Sequence, residues 1–120
     1  MNAQDFIGKP VIIKMIQPLG SRHPSRNLIY STNYGYIPTI VSGNTKKLDA
    51  YVLGIFEPLE VFEGTCIAVL HHLHDNDDKL IVVPDGKNYT DAQINALTEF
   101  QEKFFEHKII RWLLCKKILA

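Results

Sequence analysis

The sequence predicts a mainly β fold: five short strands rolled into a barrel, with one helix packed against it near the carboxy terminus. Three observations carry that expectation. Short segments rich in Val, Ile and other β-formers recur between turns containing Pro, Gly and Asn. A helical signature occurs once, over residues 90–105. A length of 120 residues holds one small core and not two, so residues 1–120 read as a single domain.

Taken in order, Pro10 to Ile16 reads as a strand because β-branched residues dominate it and no helical period appears. Pro18 to Pro24 is a loop, broken by two prolines and a glycine. Leu28 to Ile40 is extended and bent: Gly35 permits a close approach or an unusual φ, and Pro38 disfavours helix before it. Ser42-Gly-Asn-Thr45 supplies a turn into a strand from Leu48 to Phe56. Thr65 to His72 is almost unbroken in apolar character, as a barrel-forming or doubly buried strand would be. An acidic turn, His74 to Asp78, leads to the strand Lys79–Val83, which Pro84-Asp-Gly86 ends. Thr90-Asp-Ala-Gln93 is a capping box, and Ile94, Leu97, Phe100, Phe104 and Phe105 follow at helical spacing as one apolar face. Residues 109–119 are apolar on too many sides for an exposed helix and read as a core-docking or partner-docking extension. Five strands and a late helix suggest a barrel of the OB type.

Composition narrows the setting. No apolar run approaches the ~20 residues needed to cross a bilayer, and residues 1–9 lack the features of a secretory leader, so a cytoplasmic chain with no membrane partner is expected. Cys66 and Cys115 share no motif and suit reduced thiols. Net charge is zero but segregated. Residues 1–48 hold six Lys or Arg and one acid, residues 49–106 three and twelve, and residues 107–120 four and none. An anion-binding and a cation-binding patch on one domain would follow, unless these are solvated faces that intermix on folding.

The candidate chemistry starts from Asp49, a carboxylate in an apolar strand that is costly to bury without a cation, a basic side chain or a wet cleft against it. Asp75, Asp77 and Asp78 crowd one turn, and such like charges recruit a hard cation when unliganded. The turn is not an EF-hand, since Leu80 stands where glycine is needed. His71 and His72 point to opposite faces of a strand, which favours surface and core roles over a shared metal. Carboxylates for a divalent cation, with Arg, Lys and Tyr for phosphate oxygens, are the parts of a metal-assisted phosphoryl hydrolase.

The segments Asn33-Tyr-Gly-Tyr-Ile-Pro38, Leu48-Asp-Ala-Tyr-Val-Leu-Gly54, Asp77-Asp-Lys-Leu-Ile-Val-Val-Pro84 and Phe104-Phe-Glu-His107, in this order, resemble the soluble family I inorganic pyrophosphatases, and most closely a short bacterial branch. The likeness spans roughly residues 11–111. It implies a five-stranded OB-like barrel, hydrolysis of pyrophosphate to two phosphates with Mg²⁺ (Mn²⁺ possible), and a homo-oligomer. It also implies roles for single residues: Asp49, Asp75 and Asp77 as metal ligands, with Asp49, Asp77 and Lys79 as the catalytic set. Arg22, Tyr30, Tyr34, Lys79 and Lys108 would bind substrate. The chain departs from the family's D-x-D-P-x-D signature, which stands here as Asn44-Thr-Lys-Lys-Leu-Asp49. Two of three acids are lost, Lys46 replaces the one thought to activate water, and no Glu precedes Tyr30. Losing a general base typically removes about 10²–10⁴ in rate, so slow hydrolysis is expected. The alternative is a non-hydrolytic module holding a phosphorylated anion on Arg22, Lys46, Lys47 and Lys79. A third class, single-stranded nucleic-acid binding on Tyr30, Tyr34 and Tyr36, is disfavoured by the acidic centre of the chain.

Overall fold

The computed structural model describes residues 2–38 and 47–111. Six strands form one sheet: β1 (Pro10–Gln17), β2 (Asn33–Tyr36), β3 (Asp49–Val52), β4 (Val61–His72), β5 (Asp78–Val83) and β6 (His107–Ile110), with helix α1 (Asp91–Glu102) before the last. The order β1-β2-β3-β5-β4 closes because β4 also pairs with β1, so five strands make the expected barrel and β6 adds to β4 from outside. Every pairing is antiparallel except β3 with β5, which is parallel and sets Asp49 beside Lys79.

β4 makes closure possible by its length. Its first residues pair with β1, its last with β6, and most of its other edge with β5. The ladder to β5 slips between Cys66 and Ala68, a bulge that bends the strand round the barrel. At Gly35 the Lys14 backbone comes so close that a Cβ would collide with it, and glycine is what lets β1 and β2 approach there.

Alternation along the strands sorts the core into two layers. Val11, Ile13, Ala50, Val52, Cys66, Val69, Leu80 and Val82 fill the barrel. Tyr34, Tyr51, Leu70, Ile81 and Val83 face outward and pack with Ile94 of α1. The ionisable groups that matter lie in this second layer, under the helix.

Several expectations are adjusted. β4 begins at Val61, before Thr65, and β3 covers only the start of Leu48–Phe56. The capping box is present, with Thr90 accepting from the Gln93 amide and Gln93 reciprocating. The helix ends at Glu102, so Phe104 and Phe105 do not continue its apolar face. The Phe105 amide bonds Glu102 O in a tight turn, which leaves Phe104 half exposed and lays Phe105 on His72. The turn Ser42–Thr45 and most of the extension 109–119 lie outside the described residues; its start is strand β6.

Candidate functional site

Asp49 opens β3 and shares its outward row with Tyr51. β2 places Tyr34 on the same side, and its hydroxyl donates to Asp49 Oδ2 at 2.7 Å. The parallel register brings Lys79 of β5 alongside. Burial pushes the Asp49 carboxyl above its ordinary range; the Tyr34 hydrogen bond opposes this, the Asp77 carboxylate adds to it, and Lys79 and Lys47 oppose it. Burial and the neighbouring Asp49 raise the Tyr34 phenol, which therefore stays a neutral donor. Asp49, Asp77, Tyr34 and Lys79 thus form one electrostatic group.

Of the other named residues, Tyr30 borders this group, its ring 5.5 Å from that of Tyr34. Asp75 caps its own turn: its carboxylate accepts from the Asp77 amide at 3.0 Å and meets His72 Nδ1 at 3.1 Å. The Asp77 amide is the chief reason its carboxyl lies below the ordinary range. Among the described residues no group of three or more His, Cys, Asp or Glu is gathered to hold a metal ion, so the expected Asp49–Asp75–Asp77 trio is not assembled. The Asp77 carboxylate raises the electrostatic cost of the Asp49 charge, which makes these two the candidate pair for a single divalent cation.

Tyr30 is buried and donates to Gln101 Oε1 at 2.6 Å, its phenol pushed up to about 12 chiefly by burial. Its hydroxyl is committed to the helix. Arg22 is exposed in the loop, where its guanidinium touches Asn27 at 3.4 Å. Lys108 pairs with His71, whereas Lys79 pairs with Leu70, one step away, so Lys108 falls on the opposite sheet face. Lys47 is exposed over the Tyr36 ring at 4.7 Å, and Lys46 lies outside the described residues.

Sequence reasoning missed the groups that hold Lys79. The ammonium donates to Glu102 Oε2 at 2.9 Å. The same oxygen accepts from the Tyr51 hydroxyl at 2.5 Å, and Oε1 meets His72 Nε2 at 2.6 Å. Gln101 Nε2 donates to the Tyr51 oxygen at 2.6 Å. The signal was present: Ile94, Thr98, Gln101 and Glu102 follow helical spacing on the buried face, and an acid there needs a cation. The Arg26 guanidinium lies 4.4 Å from the Phe104 ring centre and 5.4 Å from that of Phe105.

A small closed barrel with its ionisable side chains gathered beneath one helix is the class that fold and site define. The family model for inorganic pyrophosphatase matches residues 17–120, and the chain belongs to that family. No curated protein matches in sequence. Solved structures agree on the fold. The inorganic pyrophosphatase of Ehrlichia chaffeensis superposes with a TM-score of 0.68 at 18% identity, covering 98% of this chain and 96% of that one. That of Coxiella burnetii gives 0.59 at 16%, covering 94% and 90%. That of Thermus thermophilus gives 0.58 at 21%, covering 92% and 85%.

Proposed function

We propose that this chain hydrolyses pyrophosphate to two phosphates with Mg²⁺, or Mn²⁺ in its place, and turns over slowly. The observation that carries the reading is the electrostatic grouping of Asp49, Tyr34 and Lys79 on neighbouring strands with Asp77 of the turn before β5, in a chain of this family. Asp49 and Asp77 would hold one cation, which when bound offsets phosphate charge and acidifies water. Tyr34 orients the Asp49 carboxylate through its hydroxyl, and Lys79 supplies the positive charge for a phosphate oxygen. Arg22, on its exposed loop, is the proposed second phosphate ligand. Slow turnover follows from Asn44 and Lys46, which stand where the family has acids.

Phosphate release from pyrophosphate in Mg²⁺ or Mn²⁺, measured beside Asp49→Asn, tests the proposal. Release at the background rate, or indifferent to the substitution, sinks it.

A second reading, a non-hydrolytic anion binder, is favoured by Lys47 and Lys79 flanking Asp49. Calorimetry without divalent cation separates the two, because a lysine-built site keeps its affinity when the metal is removed. Assembly into a homo-oligomer is proposed as well, and light scattering at two concentrations checks it.

A further inference from the structure

Lys79 already has an anion. Its side chain is 6% exposed and that of its partner Glu102 is 1% exposed, so the pair sits away from solvent. Burial alone would raise the Glu102 carboxyl, but the Lys79 ammonium and hydrogen bonds from Tyr51, Lys79 and His72 hold it below its ordinary range, as a carboxylate. The pair is tied into four elements: Tyr51 on β3, His72 on β4, Lys79 on β5 and Glu102 at the end of α1. The rings of Tyr34, Tyr51 and Phe105 surround the ammonium at 5.4, 5.6 and 5.8 Å. A phosphate oxygen seeking Lys79 therefore meets a lysine whose first partner is internal.

We propose that Glu102 is a positioning residue that occupies the anion-binding end of Lys79, so that a substrate phosphate must compete with it for the ammonium. The inference rests on the reading of Lys79 as a phosphate ligand. It makes Glu102 a brake on affinity, which a purely structural carboxylate would not be. Removing a structural carboxylate loosens the site and weakens binding. Removing a competing one takes away a negative charge that opposes the phosphate.

Titration calorimetry with inorganic phosphate in Mg²⁺, which cannot turn over, provides the test. The proteins are wild type, Lys79→Met, Glu102→Gln and the double variant. Lys79→Met is expected to weaken binding, and Glu102→Gln to tighten it by roughly three- to tenfold at an effective protein dielectric of about 20. The double variant should match Lys79→Met, because Glu102 acts through that lysine. Should Glu102→Gln fail to fold by thermal melt, Glu102→Asp draws the carboxylate back and should tighten binding in the same direction by less. Unchanged or weaker binding in whichever of the two variants folds overturns the inference. Wild-type affinity in Lys79→Met instead removes Lys79 from the phosphate site, and the inference with it.

Discussion

At the scale of single residues, Asp49 shows function working against stability. Folding raises its carboxyl above the unfolded value, so its contribution is fully present below the ordinary Asp range near 3.8 and is lost as pH rises through the raised value. The charged form a cation needs is the one the fold disfavours. Asp49→Asn should therefore lower phosphate release by about 10²-fold or more, while stability at pH 7 rises by about 1 kcal/mol. Paired activity and melting measurements check both halves. Asn33 shows the opposite case. It is wholly buried, accepts from the Leu19 and Leu59 amides at 2.9 and 3.0 Å, and donates to Glu57 O at 2.9 Å. Asn33→Ala strands two amides and a carbonyl, and should destabilise the fold by about 2–4 kcal/mol in urea titration without touching the Asp49 cluster.

At the scale of elements, α1 separates what a sequence displays from what only packing decides. Its start was legible because the cap is local: Thr90 and Gln93 satisfy each other within one turn. Thr90→Ala should cost about 1 kcal/mol of stability, seen as a drop in melting temperature. Its end was not legible, since Phe104 and Phe105 keep helical spacing while the chain turns to reach β4 as strand β6. Glu102 was hidden for the same reason. An acid at a helix end reads as solvated until β3, β4 and β5 bring a phenol, an imidazole and an ammonium to it. That burial has a pH signature. The Glu102 carboxyl is held below its ordinary 4.5, so its stabilisation is present above that value and lost as pH falls through the folded one. The melting temperature should decline on the acid side of 4.5, and less steeply in Glu102→Gln.

At the scale of the whole molecule, the barrel was legible because five apolar, β-branched segments recur between turn residues, and Gly35 marks the close approach of β1 and β2. The grouping around Asp49 was legible only where one motif holds its parts, as with Asp77 and Lys79, or where family likeness joined distant ones, as with Asp49; whether it is the site is what the proposed assays decide. Lys108 shows the limit. Its place in sequence suggests the site, yet it pairs with His71 where Lys79 pairs with Leu70, and alternation along β4 sets the two lysines on opposite faces. The parallel seam between β3 and β5 has a consequence for biosynthesis. Asp49 leaves the ribosome long before the lysine that will neighbour it, and β4 must emerge between them. A nascent chain halted at the end of β4 carries Asp49 with the exposed Lys47 but without Lys79, so the pairing across the parallel seam forms only once β5 has emerged.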